Sequence, residues 1–273
     1  MAKAVRRARL DAELVRRGLA RSREQAGELV AAGRVKVAGL VATKPATGVG
    51  ADAAIVVDTS ESDDPGYASR GARKLLGALE AFVPQGLAVD GRRCLDAGAS
   101  TGGFTDVLLR AGAAHVRAVD VGYGQLVWAL QTDERVTVMD RTNVRNLTLD
   151  DIGGQPVDLV VGDLSFISLT LVLPALTSLT ADDGDLVLMV KPQFEVGKDR
   201  LGKGGVVRDP RLRATAVRDV AAAAAGSGLG IRGVTASPLP GPSGNVEYFL
   251  WMRRDAAALD ETMLTAAIEA GPQ

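Results

Sequence analysis

The chain has 273 residues but only one cysteine, Cys94, and one histidine, His115. A single thiol excludes an internal disulfide and any cysteine-ligated zinc cluster, so a metal site would need an all-oxygen ligand set. The lone histidine removes another class of function. Gly98, Ser100 and Gly102 spell the G-x-S-x-G of a hydrolase nucleophile elbow, which requires an acid and then a histidine farther along the chain. His115 comes soon after Ser100, at a predicted helix-to-strand turn, and no later histidine can serve as the base. No G-K-[ST] follows these glycines, which excludes a P-loop, and their G-x-S-x-G-G spacing departs from the dinucleotide pattern G-x-G-x-x-G. Long apolar runs are also missing. Nothing approaches the ~18 residues of a membrane span, and MAKAVRRARLDAELV brings in acids too early for a secretory leader. These absences predict a cytoplasmic protein with no membrane association and no bound metal.

What is present suffices for a full core, since 47% of residues are hydrophobic, and the length allows two domains. Charge is unevenly placed. Residues 1–51 carry eleven Lys/Arg against four acids, a balance of +7, so the remainder carries −8 and the net charge of −1 conceals a basic front end. Such an end suits a polyanion, although a charge run can also be no more than a solvated face. Within it, Leu10 to Arg17 reads as a short helix with Leu10 and Leu14 on one face and Gly18 as its stop. Ser22 is a good N-cap for a second helix, Gln25 completes a capping box, and Ala26, Leu29 and Val30 form an apolar stripe before Gly33. Arg34 to Val37 alternates like a strand, Ala38-Gly39 turns, and Ala54 to Val57 reads as the second strand of a hairpin.

The stretch LDAELVRRGLARSREQAGELVAAGRVKVAG, with its R-G-L-x-x-S-R-x-x-A core and G-x-V-x-V turn, resembles the α-L RNA-binding motif shared by a small-subunit ribosomal protein, pseudouridine synthases and tyrosyl-tRNA synthetases. The resemblance implies a small α+β module over residues 1–58 that grips structured RNA through phosphates and shape. Its candidate contacts are Arg6, Arg7, Arg9, Arg21, Arg23, Lys36 and Lys44, joined by Arg70 beyond the linker.

Residues 59–69, TSESDDPGYAS, are polar and acidic and carry Pro65-Gly66, which marks a short interdomain linker ahead of a second domain over 70–273. In SRGARKLLGALEAF, Leu75, Leu76, Leu79 and Phe82 fall at helical spacing and leave Arg70 and Lys74 at the helix start. Cations there oppose the helix dipole, so function explains them better than stability. Strand and helix then alternate from Arg93 onward, which predicts a doubly wound α/β order. An apolar run ends at Asp96 in a glycine-rich turn, LDAGASTGGF. Asp120 ends the second strand about twenty residues on, where an acid can accept from ribose hydroxyls, and Asp140 ends the third within reach of an adenine edge. Each of these could equally be a turn former.

The fourth and fifth strands deliver VVGDLSFISL and LVLMVKPQFE, which sets Asp163 and Lys191 at adjacent carboxyl edges, in the ligand crevice of an open sheet. A buried lysine shifts down in pKa and becomes a usable base, while the alternative is a purely structural Lys191–Asp163 ion pair.

The motifs LDAGASTGGFT, AVDVGYGQL, RTN, GDLSFISL, VKPQFEVG and SPLPGPSGNVEYFLW resemble the TlyA family of ribosomal RNA 2'-O-methyltransferases, within the RrmJ/FtsJ-like class of S-adenosylmethionine (SAM) enzymes. The resemblance implies a Rossmann-like class I methyltransferase domain and methyl transfer from SAM to a cytidine ribose in large-subunit and, in longer members, small-subunit rRNA. Its K-D-K-E tetrad falls on Lys74, Asp163, Lys191 and Glu247, and its cofactor positions fall on Gly98, Ser100, Gly102, Phe104, Asp120, Asp140 and Asp163. Thr101 and Phe104 stand where these enzymes usually carry proline and tryptophan. A monomer acting on rRNA or ribosomal subunits is expected. The competing readings are an RNA-binding assembly factor that has lost activity and a membrane-active cytolysin.

Overall fold

The computed structural model describes residues 8–20, 22–31, 33–50, 53–57, 66–202, 204–241 and 243–271. The chain divides into two compact units, Met1–Gly66 and Tyr67–Gln273.

In the first unit a short strand β1 (Ala8–Arg9) runs into helix α1 (Leu10–Arg16), followed by α2 (Arg23–Ala31). Ser22 Oγ accepts the Gln25 N–H at 3.1 Å, the N-cap contact that its spacing predicts. Leu10 and Leu14 from α1 and Ala26 and Val30 from α2 close over Val35 in a small core. Strands β2 (Val35–Val37), β3 (Leu40–Val41), β4 (Gly48–Val49) and β5 (Ile55–Val57) follow, with β1 paired to β4 and a three-stranded sheet in the order β3-β2-β5. The hairpin therefore differs from the expected one. Ala38 (φ 49) and Gly39 (φ 84) are consecutive left-handed residues, so the turn closes at once into Leu40 opposite Val37, while Ile55 pairs on the far side of Val37.

The second unit opens with α3 (Ala72–Phe82), then β6 (Arg93–Ala97), α4 (Gly103–Arg110), β7 (His115–Val119), α5 (Trp128–Gln131), β8 (Val136–Met139) and β9 (Val157–Gly162). It continues with α6 (Leu173–Leu179), β10 (Thr180–Val190), α7 (Pro192–Glu195), α8 (Pro210–Gly226), β11 (Gly230–Ala236), β12 (Tyr248–Arg253) and α9 (Glu261–Ala270). Seven strands form one sheet in the order β11-β12-β10-β9-β6-β7-β8. Strands β6 to β10 are mutually parallel, as the doubly wound reading requires, and β12 enters antiparallel to both β10 and β11. The chain leaves β6 toward β8 and returns to the other side at β9, so β6 and β9 flank the switch point at which open sheets bind ligands.

Two apolar layers sandwich the sheet. On one face Leu75, Phe82, Phe104 and Leu108 pack against Val161, Phe249 and Trp251; on the other Leu173, Leu176, Val217 and Val220 pack against Leu95, Leu188 and Leu250. Helix α9 was not anticipated from sequence, although its start is well signalled: Asp260 accepts the Thr262 N–H at 2.7 Å, and Leu264 is fully buried. Strand β10 begins six residues before its apolar run at Leu186, because a register shift between Thr180 and Asp185 carries Asp182-Asp183-Gly184 along as an irregularity.

Asp96, penultimate in β6, is fully buried and accepts from Thr105 Oγ1 at 2.7 Å. Burial, only partly offset by Thr105, pushes its carboxyl up to about 7 from an ordinary 3.8. A proton held more tightly in the folded state stabilises the fold at low pH; the contribution is complete below the unfolded value and is lost as pH rises through about 7. Asp96→Asn should therefore abolish a pH dependence of up to about 4 kcal/mol between pH 4 and 7, at about 1.4 kcal/mol per pH unit. Urea unfolding of both proteins at several pH values checks this, and a slope identical to wild type would refute it.

Candidate active site

The glycine-rich turn after β6 carries the backbone through left-handed geometry at Gly98 (φ 87), Ser100 (φ 48) and Gly102 (φ 99). A Cβ on Gly98 would sit 3.2 Å from the Asp163 carbonyl oxygen and from Leu164 Cδ2, so only glycine lets the turn approach the β9 end this closely. Asp120, one residue past β7, accepts the Ser100 N–H at 2.8 Å through Oδ2 and the Gly122 N–H at 2.7 Å through Oδ1, locking two turns together. Between these turns and the β9 end lies a cavity of about 500 Å³, lined by Gly98, Ser100, Asp120, Gln125, Asn143 and Asp163 among others.

Asp163, which lines this cavity, gathers three further charged side chains that do not line it, so four elements deliver four charges. Lys74 comes from the first turn of α3, Asp163 follows β9, Lys191 follows β10 and Glu247 precedes β12. Glu247 reaches this edge because β12 is antiparallel: Tyr248 pairs with Val190, so the start of β12 lies beside the end of β10. Lys74 Nζ stands 3.1 Å from Asp163 Oδ2 and 2.7 Å from Glu247 Oε2. Lys191 Nζ stands 2.7 Å from Asp163 Oδ1 and donates to Ser165 Oγ at 2.7 Å. Gln193 Nε2 donates to Glu247 Oε1 at 3.1 Å. The result is one continuous chain of contacts from Ser165 to Gln193.

Lys74 is 7% exposed instead of solvated at a helix start. Even so, burial does not lower its pKa. Burial alone would do so, but Asp163 and Glu247 outweigh it and hold the ammonium above the ordinary lysine value. Asp163 shows the mirror effect: burial would raise its carboxyl, yet Lys191 and Lys74 bring it below the usual range.

The structure brings Gly98, Ser100, Asp120 and Asp163 to the cavity but not Gly102, Phe104 or Asp140. Gly102 matters for packing, because a Cβ there would collide with Leu126 and Leu130. Phe104 is 4% exposed, in α4, and its ring lies 6.0 Å from that of Phe249. The apolar ring on the inner face of this helix packs into the core and is not among the cavity-lining residues. Asp140 accepts the Gly124 N–H at 2.8 Å and so braces the turn after β7. Sequence reasoning missed Ser165, Gln125 and Asn143, all uncharged residues of loops whose only signal was their closeness to the motifs GDLSF, VGYGQ and RTN.

In the first unit, Arg6, Arg7 and Arg21 lie outside the described residues. Arg9 and Arg23 both reach Asp11, at 2.8 and 3.0 Å, yet stay 54% and 60% exposed, so one carboxylate organises two cations and leaves positive charge at the surface. Lys36 and Lys44 are exposed, as is Arg70 of the second unit.

Residues 67–254 match the FtsJ-like methyltransferase model, and residues 8–55 match the S4 domain. The chain belongs to the FtsJ-like methyltransferase family. This FtsJ-like chain is 64% identical over 248 residues to the 16S/23S rRNA (cytidine-2'-O)-methyltransferase TlyA of Mycobacterium tuberculosis, covering 91% of this chain and 90% of that protein. It is 36% identical to Hemolysin A of Brachyspira hyodysenteriae, covering 88% and 97%. A solved Streptococcus thermophilus structure described as a hemolysin superposes with a TM-score of 0.76 at 36% identity, covering 97% of this chain and 96% of that one. Among the described residues no helix is long and apolar enough to cross a membrane.

The FtsJ-like unit fits SAM. The cavity volume suits a small organic cofactor, Gly98 and Ser100 line it, and the Asp120 carboxylate lines the wall with lone pairs left for hydroxyl donors. Phe104→Leu should lower stability by about 1–2 kcal/mol, the usual size for a core change, and leave SAM affinity within about twofold. Calorimetric titration decides; a large loss of SAM binding in a folded variant would return Phe104 to the cofactor site.

Proposed function

We propose that the protein is a SAM-dependent methyltransferase acting on the 2'-hydroxyl of cytidine in ribosomal RNA, as a cytoplasmic monomer working on ribosomal subunits. The observation that carries the reading is the junction of Lys74, Asp163, Lys191 and Glu247 at the cavity edge. SAM supplies an electrophilic methyl group, and what remains for the protein is to align a ribose oxygen and remove its proton.

The two lysines divide that work. Lys74 is committed to two carboxylates and stays an ammonium, suited to holding the ribose or a phosphate. Lys191 has one carboxylate partner where Lys74 has two, donates to the neutral Ser165 hydroxyl and lies over the Phe194 ring at 6.0 Å, and it is the candidate base. Asp163 aligns both ammonium groups at once. Glu247, held by Gln193, fixes Lys74. Asp120 accepts from the cofactor's ribose hydroxyls, with Gly98 and Ser100 shaping the turn beneath.

The S4 unit supplies RNA affinity through Arg9, Arg23, Lys36 and Lys44, with Arg70 adding a contact from the second unit. An inactive assembly factor would have no need to retain this ion network beside an open cavity.

Mapping 2'-O-methyl groups on rRNA with and without the protein tests the proposal directly, and an unchanged map would overturn it. Lys191→Ala should lower methyl transfer roughly 10²- to 10⁴-fold while SAM and RNA still bind; near wild-type turnover would remove Lys191 as base. Asp120→Ala should weaken SAM binding by about 1.5–3 kcal/mol, the worth of hydrogen bonds to a charged acceptor, as measured by calorimetry. Lys36→Ala with Lys44→Ala should weaken RNA binding and flatten its log-log salt slope by about 0.7–0.9 per lost phosphate contact. An unaltered slope would take these lysines out of the interface.

A further inference from the structure

The loop after β9 and the segment after β10 are fastened to each other at three successive points. At one end Lys191 meets Asp163 and Ser165. In the middle the rings of Phe166 and Phe194 lie 5.4 Å apart. At the far end Glu195 accepts the Ser168 hydroxyl at 2.5 Å through Oε2 and the Leu169 N–H at 2.9 Å through Oε1. The first fastening belongs to the tetrad, and the last is as polar as the first although it touches no tetrad member.

Two features set this stretch apart. Phe166, at the centre of the loop, has φ 65 and is 92% exposed, a costly backbone conformation for a side chain that gains almost nothing by burial. Such a residue persists only when its surroundings over-determine it. Glu195, for its part, is drawn out of water, and burial raises its carboxyl despite the Ser168 and Leu169 donors. Ser168 also caps the turn Leu169–Leu171 by accepting the Thr170 N–H, and Leu169 and Val172 are buried in the core. Glu195 therefore ties α7 to an anchored turn, and the strained residue is stretched between that turn and Asp163.

We propose that Glu195 is a positioning residue for methyl transfer: by holding Ser168 and Leu169 it sets the course of residues 163–169 and so the placement of Asp163, Ser165 and Phe166 against Lys191 and the cavity. The inference rests on the methyl-transfer reading of the tetrad. It acts through alignment, where a displacement of about 1 Å can cost roughly 10²-fold in rate.

The test is steady-state methylation of ribosomal subunits by the full chain, well below its melting temperature. Glu195→Ala should lower kcat roughly 10- to 100-fold with KM for the subunit little changed. Glu195→Gln should recover most of that loss, since its amide oxygen still accepts from Leu169 and its amide N–H can donate to Ser168 Oγ. Should Glu195→Ala fail to fold, Ser168→Ala removes one of the two contacts and should show a smaller kcat loss with the same KM. Wild-type kcat in a folded Glu195→Ala or Ser168→Ala protein overturns the proposal, as does a Gln variant no better than Ala. Lys191→Ala, run alongside, separates the two levels: near wild-type turnover in it removes the reading of the tetrad on which this inference rests, whereas a loss of roughly 10²- to 10⁴-fold beside an unchanged Glu195→Ala means that the positioning role alone fails.

Discussion

The second unit turns on one buried ammonium held between two carboxylates. An unpaired ammonium at that depth would be costly, and Lys74 is paired with both Asp163 and Glu247. Each needs the others in place, so α3, β9 and the start of β12 are committed to one arrangement at the sheet edge. Lys191 enters the same arrangement through the second oxygen of Asp163. Buried ion networks seldom stabilise a fold more than apolar residues of equal volume would. The charges are better explained by the cavity they border than by the core they interrupt.

The sheet explains how groups so far apart in the chain meet. Parallel strands put every following loop at one edge, which suits Asp163 and Lys191. A residue preceding a strand joins that edge only if the strand runs the other way, and β12 does. The same edge also hosts the glycine turn, so the ligand wall and the charged cluster share the Asp163 loop.

Much of this was legible in the sequence because buried parallel strands are near-continuous apolar runs and their ends are marked by a change to Asp, Gly or Lys. Asp120, Asp163 and Lys191 could be located on that basis alone. Glu247 could not, since nothing in NVEYFLW declares an antiparallel strand; only the motif resemblance pointed to it. The fate of Lys74 was misread because helical spacing places it near an exposed helix start, and the partners that bury it lie 89 and 173 residues away. Phe104 was drawn to the cofactor by its neighbours in the motif, while the amphipathic face of α4 assigns it to the core. The hairpin of the first unit was missed for a different reason: two-residue strands are too short to show alternation, and Ala38 gives no hint of a left-handed backbone.

The place of β12 in the chain also decides when the charged cluster can close. Because Glu247 arrives only with the last strand of the sheet, a nascent or truncated chain ending before it would hold the glycine turn, Asp163 and both lysines but leave Lys74 with a single carboxylate. Such a chain can shape a cofactor pocket without a balanced set of charges beside it. The charge network thus closes only once the last strand of the sheet is in place.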